Sequence, residues 1–425
     1  MISIIKQKIN NVEYKRILSN FLSLSVLQGL NYILPLITLP YLIQTLGVDK
    51  FGLVSFAAAF VIYFNVISDY GFHLTATRDI SKNREESDVV NKIASAVFTC
   101  KAILLFVCFL ILCFIVSLFP TFKDDPNIYF ISFGVVSAQA FFPVWFFQGI
   151  EAMKYITYVN LISKSVFTFA IFIFINNEAD YYMVPMFTAI GFLIASIISI
   201  YLMYYKYKFR FILPTVNELK LAIKNGFHIF LANAFTSLYT NSNVVLLGIV
   251  ANPTTVGYYS IAEKIVGAFS GLFIPLNQAL YPFLAKKYHD NKIAFLSVVK
   301  KMQMLMLLTG ISLSLVVFIF RELIVGLVAN EVNSIVILLT AILCLRIISS
   351  PFANLLSNLL VIMNATKEYL KVMKITVAVN VLIVFPMIIK FGVIGLAPSY
   401  IFVLWIHVLL LGYYVRISKG ELIND

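Results

Sequence analysis

The chain has 425 residues, 61% of them hydrophobic and only 12% charged, with a mean hydropathy of +0.93 and a formal charge of +12. A soluble protein could not hide that much apolar surface, and so few charges could not keep it dispersed, so the composition excludes a soluble enzyme or binding module. The expected fold is an all-α integral membrane protein with many spans.

Met1 to Ser19 is a basic amphipathic lead-in with Lys6, Lys8, Lys15 and Arg16. The apolar run behind it is too long for the core of a cleaved signal. A helix needs about 20 apolar residues to cross a bilayer. That ruler predicts twelve spans: Leu18 to Ile43, Gly52 to Thr75, Ile93 to Phe119, Ile128 to Ile150, Thr157 to Ile175, Met183 to Tyr205, Gly226 to Val250, Tyr258 to Leu284, Met302 to Phe320, Ile335 to Met363, Val372 to Ile389 and Ile394 to Val415. The extracytoplasmic connections are short, Arg321 to Ser334 being the longest, and none holds a soluble domain.

An even number of spans puts both termini on one side, and charge says which. Of 32 Lys and Arg, 24 fall in the amino-terminal segment, the loops after even-numbered spans and the tail. Arg78, Lys82 and Arg84 are typical, as are Lys206, Lys208 and Arg210. The positive-inside rule therefore predicts cytoplasmic termini. The basic balance reads as topology, with some attraction to anionic membrane lipid, and no compact basic region suggests a nucleic-acid site.

The seventh span is unusually polar. Asn233, Thr236, Thr240 and Asn243 follow i, i+3, i+7, i+10 and share one helix face. Subtracting 205 lands on Gln28, Asn31, Pro35 and Thr38 in the first span, and Asn20 and Gly52 map onto Asn225 and Gly257. Phe51-Gly52-Leu53-Val54-Ser55-Phe56-Ala57 aligns with Val256-Gly257-Tyr258-Tyr259-Ser260-Ile261-Ala262 at the same offset. This predicts two pseudo-symmetric six-helix bundles, residues 1–210 and 211–425, in the same orientation around a central cavity. The polar faces of spans one and seven would form facing walls of that cavity. Interhelical hydrogen bonding is the alternative use for such a face.

Charge inside the membrane costs at least about 2.5–3.5 kcal/mol at a helix centre, so it marks function. Arg346 in span ten cannot shed its proton and needs water, a carboxylate or an anionic ligand. Lys264 and Glu263 are adjacent in span eight, Lys164 lies in span five, Lys101 in span three, and Asp69 near the cytoplasmic end of span two. The set carries net positive charge and suits a polyanion such as a diphosphate. Lys101 and Lys164 have a second use, snorkelling to the interface. Glu263 and Lys264 diverge by roughly 100° and need not pair. His73, His228, His289 and His407 are far apart and read as lone polar residues rather than ligands, so no metal site and no cofactor is expected. Cys100, Cys108, Cys113 and Cys344 read as packing residues, and Trp145 and Trp405 as interface anchors or packing. No phosphate loop, H-E-x-x-H or G-x-S-x-G pattern occurs, which argues against an enzyme.

Three runs resemble O-antigen flippases, the Wzx-type polysaccharide transporters: SDYGFHLTATRDISKNREE (Ser68 to Glu86), PVWFFQGIEAMKYI (Pro143 to Ile156) and VGYYSIAEKIVGAFSGLFIPLNQALYPFLAK (Val256 to Lys286). The resemblance implies membership of a superfamily shared with multidrug and toxin extrusion proteins and lipid II flippases. It also implies a V of two bundles and turnover of undecaprenyl-diphosphate-linked oligosaccharide across the bacterial inner membrane. Export would be coupled to a proton or sodium gradient by alternating access, and other polysaccharide-assembly membrane proteins would be partners. On that reading Arg346, Lys264, Lys101 and Lys164 attract the diphosphate, Gln28, Asn31, Asn233, Thr236 and Thr240 bind sugar hydroxyls, and Asp69 or Glu263 carries the coupling ion. The competing readings are a small-molecule antiporter of the same superfamily and a membrane polysaccharide polymerase. The missing G-x-x-x-D-R-x-G-R pattern after span two argues against a major-facilitator transporter.

Overall fold

A computed structural model describes the backbone of residues 12–290, 292–329 and 333–424. Side chains before Leu34, at Leu36, at several positions between 275 and 294, and after Ser418 lie outside the description. Among the described residues every regular element is helical. The main helices are α1 (Val12–Asp69), α2 (Phe72–Lys82), α3 (Ser87–Leu118), α4 (Pro126–Ala140), α5 (Val144–Gly149), α6 (Met153–Phe174), α7 (Met183–Tyr205), α8 (Val216–Val250), α9 (Pro253–Gly271), α10 (Phe273–Asp290), α11 (Lys292–Ile319), α12 (Arg321–Ala329), α13 (Ser334–Leu343), α14 (Leu345–Ile362) and α15 (Thr366–Asn424).

Eight described helical stretches are long and apolar enough to cross a membrane. The protein is a multi-pass membrane protein. Helices α1 and α15, of 58 and 59 residues, are each far longer than one bilayer crossing. Each turns at a glycine between two predicted spans: Gly47 (φ 70°, ψ 168°) and Gly392 (φ 60°, ψ −142°). Only a residue without Cβ takes ψ near ±150–180° at positive φ without large strain.

Other predicted spans are interrupted. Span two was expected to reach Thr75, but α1 ends at Asp69 and the chain restarts at Phe72. Tyr70 (φ 47°) and Gly71 (φ 79°) are both left-handed there. The fourth span breaks at Phe141 to Pro143, where proline removes a backbone donor. The eighth breaks at Leu272 and the tenth at Cys344, each by a single turn residue.

Packing divides the chain into two compact units: Met1–Thr38 with Phe60–Ala234, and Leu39–Ala59 with Phe235–Asp425. The first has a core of Phe72, Ile80, Val97, Trp145, Phe147 and Ala195 with their neighbours. The second is built on Leu284, Phe295, Val299, Leu355, Leu359 and Leu411. Trp145 is 1% exposed and packs edge-on against Phe98, so it is a core residue rather than an interface anchor. All four cysteines are free.

Candidate functional site

In the first unit, two of the sequence runs that carry the resemblance fold onto each other. Thr77 on α2 donates to the Trp145 carbonyl at 3.1 Å, Gly149 sits so close to Ile80 that a Cβ there would meet it at 2.6 Å, and Arg84 pairs with Glu151 at 2.9 Å. The W-x-F-Q-G-x-E run is thus the cradle for the short amphipathic helix α2. The break that frees α2 is locked from the other side. Tyr70 stacks on Phe230 of α8, with ring centroids 4.6 Å apart and planes 7° from parallel. A Cβ on Gly226 would meet the Tyr70 carbonyl at 2.6 Å, and one on Gly71 would meet Ile229 at 2.7 Å.

Asp69 stands at the last turn before this break. Its carboxylate takes Lys101 Nζ of α3 at 3.0 Å and His73 Nδ1 of α2 at 2.5 Å. The Lys101 side chain is 4% exposed, so it does not snorkel. Its short distance to Asp69 explains why: a buried ammonium beside a carboxylate gains more than a stretched side chain could recover at the interface. His73 is likewise not a lone residue. The i, i+4 spacing of Asp69 and His73 could have signalled the contact. In the same unit Asn65 donates to Gln139 at 2.6 Å, adding polar contact between α1 and α4.

Lys164 lines a cavity of about 190 Å³ with Pro35, Ser163, Phe167, Thr168 and Thr188. Burial is kept partial by this recess, and the Thr168 hydroxyl is buried without a hydrogen-bond partner. Gln28 and Asn31 lie on α1, and their side chains are outside the described residues. Asn233, the last of the predicted polar face in this unit, is half-buried.

In the second unit, Arg346 of α14 donates to Glu263 of α9 at 3.2 Å. Glu263 thus pairs across helices rather than with its neighbour Lys264, whose ammonium lies 5.2 Å from the Phe51 ring centroid. Thr236 is half-buried and Thr240 exposed, whereas Asn243 is 2% exposed with its side-chain oxygen unpartnered. Next to it, Asn380 donates to Ser242 at 3.0 Å, and Thr376 bonds His407 at 2.9 Å. His407 is therefore a buried, satisfied histidine. The polar stripe of α8 is divided: Thr236 and Thr240 remain accessible, whereas Asn243 is buried beside the Asn380–Ser242 hydrogen bond.

Each unit thus holds two membrane-depth cations and one carboxylate, Lys101, Lys164 and Asp69 in the first and Arg346, Lys264 and Glu263 in the second. Asp69 pairs with Lys101 in the first, and Glu263 with Arg346 in the second.

The fold is similar to that of solved integral membrane transporters. It superposes on an inward-facing multidrug resistance MATE family transporter with a TM-score of 0.73 at 13% identity, covering 92% of this chain and 96% of that one. It superposes on the lipid II flippase MurJ, in an inward closed conformation, with a TM-score of 0.74 at 15% identity, covering 94% and 87%. The chain belongs to the polysaccharide biosynthesis protein family, which matches residues 17–288. It is similar to the "Putative O-antigen transporter" of Escherichia coli (strain K12), at 30% identity over 89% of this chain and 91% of that protein. A protein of the same name from Shigella dysenteriae is 33% identical over 63% of this chain and 67% of its own length.

Proposed function

We propose that this protein is a flippase that moves an undecaprenyl-diphosphate-linked oligosaccharide, an O-antigen repeat unit, across the bacterial inner membrane, with both termini in the cytoplasm. The observation that carries this reading is the set of four cations and two carboxylates within the predicted spans of a chain from this family. A diphosphate is the part of such a cargo that most needs compensation in a low-dielectric path, and cations held on rigid helices supply it at no reorganisation cost. Relatives named as O-antigen transporters support the choice of cargo. The protein moves its cargo without changing a covalent bond, so it is not an enzyme.

In this account Arg346 and Lys264 receive the diphosphate in one half of the cycle and Lys164 in the other. Gln28, Asn31, Asn233, Thr236 and Thr240 offer hydrogen bonds to the sugars. Asp69 and Glu263 exchange their lysine or arginine partner for a proton or sodium ion, which couples an ion gradient to alternating access. Complementation of a strain lacking this gene tests the cargo. Restored surface polysaccharide with unchanged drug sensitivity is expected. Restored drug resistance with no polysaccharide would identify the small-molecule antiporter instead.

A further inference from the structure

The first turns of α8 carry a second cationic feature, beside the break at Tyr70. A groove of about 450 Å³ is lined by Val216, Leu219, Lys220, Ile223, Lys224, Phe227 and His228 of α8, with Tyr70 at its side. Two rows run along the helix there. Lys220, Lys224 and His228 follow i, i+4, i+8, and Val216, Leu219, Ile223 and Phe227 follow i, i+3, i+7, i+11 beside them. Among the described residues no carboxylate lines the groove. The nearest in sequence, Glu218, is turned roughly 160° around the helix from Lys220 and is held by Thr215, which donates to it through its backbone N–H at 2.7 Å and its hydroxyl at 2.9 Å. The two lysines therefore lie one turn apart, and both are exposed. Val216 and Phe227 are also exposed, at 65% and 44%.

We propose that this groove docks an anionic phospholipid, with its phosphate on the Lys220–Lys224–His228 row and its acyl chain along the Val216–Leu219–Ile223–Phe227 row. Charge complementarity selects the headgroup. A free phosphate would leave the apolar row bare, and a zwitterionic lipid would leave the lysines uncompensated. The lining has no Ser, Thr, Asn or Gln and half of it is apolar side chain, so it suits a phospholipid better than an oligosaccharide carrier. Because Tyr70 belongs to the break between α1 and α2, the docked lipid braces the junction that holds Asp69 and His73. This inference stands apart from the cargo assigned above.

The test places the full-length protein in nanodiscs with photoreactive phosphatidylglycerol or photoreactive phosphatidylcholine at equal mole fraction, and maps labelling on the peptide containing 216–228. Labelling by the anionic probe should exceed the zwitterionic one by about fivefold or more, on the scale of one lysine near an anionic surface. It should be lost in Lys220→Gln/Lys224→Gln and retained in Lys220→Arg/Lys224→Arg. Equal labelling by both probes, or labelling unchanged by the glutamine pair, would overturn the proposal. So would displacement of the phosphatidylglycerol probe by equimolar undecaprenyl diphosphate, which would reassign the groove to the cargo.

Discussion

Gly52 and Gly257 occupy matched positions of the 205-residue repeat and pack against each other. A Cβ on Gly52 would fall 2.6 Å from the Gly257 nitrogen and 1.9 Å from the Pro253 carbonyl oxygen, and one on Gly257 would fall 2.2 Å from the Val48 carbonyl oxygen. Next to them Thr254 donates to Asp49 at 2.9 Å, again across a separation of 205 residues. The offset found by comparing the two halves of the sequence is thus also a contact distance along the chain. Backbone meets backbone here, so neither position can yield by rotating a side chain.

Gly52→Ala and Gly257→Ala should each lower stability by about 1–3 kcal/mol, the usual cost of overpacking. Gly267→Ala is the control. No described atom lies within 4 Å of its added Cβ, and a helical alanine should be neutral or stabilising by about 0.5–1 kcal/mol. Thermal unfolding of the three variants in the same detergent reads the difference.

The Lys101–Asp69 pair predicts a non-additive cycle. Asp69→Asn strands a buried ammonium and should cost about 3–5 kcal/mol, and Lys101→Met should cost less because Asp69 is more open and keeps His73. The double variant Asp69→Asn/Lys101→Met should regain much of the loss. Chemical unfolding of the four proteins of the cycle measures the coupling, and simple additivity would show that the two groups do not interact in the folded protein.

Gly71 is required by its own backbone. Gly71→Ala puts a Cβ at φ 79° and 2.7 Å from Ile229, so it should cost at least about 1–2 kcal/mol from conformation alone. Tyr70→Ala loses the stack on Phe230, worth about 0.5–1.5 kcal/mol beyond its buried area. Limited proteolysis between residues 70 and 86 should accelerate in both variants, because α2 is then held only by its cradle.

Much of this architecture was legible in the sequence, and the exceptions have physical causes. Apolar length located the spans, and Gly47 and Gly392 turn the chain where connections were expected, because length and a missing Cβ are local properties. The break at Tyr70 was not legible. Tyrosine disfavours the left-handed region, and the contacts that hold it there, the stack on Phe230 and the close approach of Gly226, come from some 160 residues away. The charges at membrane depth were identifiable one by one, but not their pairing. Glu263 chooses Arg346 over its neighbour Lys264 because helix geometry turns adjacent side chains apart, and the partner comes from a helix remote in sequence. The Asn243 end of the polar stripe was expected to face open space. It is buried beside Ser242 and Asn380, where the period alone cannot tell a wall from a seam.

The Arg346–Glu263 pair separates structure from transport. If its role is to receive the diphosphate, Arg346→Gln should reduce flipping by tenfold or more while Glu263→Gln, which leaves the guanidinium in place, reduces it less at fixed gradient. A pair that served only packing would give two variants with equal loss, following their stability.

The most direct test of the whole account is flipping by the purified protein in proteoliposomes loaded with fluorescent undecaprenyl-diphosphate oligosaccharide, scored by the fraction reachable from outside. The account predicts rapid protein-dependent turnover that Arg346→Gln abolishes while the protein remains folded. Turnover no faster than in empty liposomes, or unchanged in that variant, would contradict it.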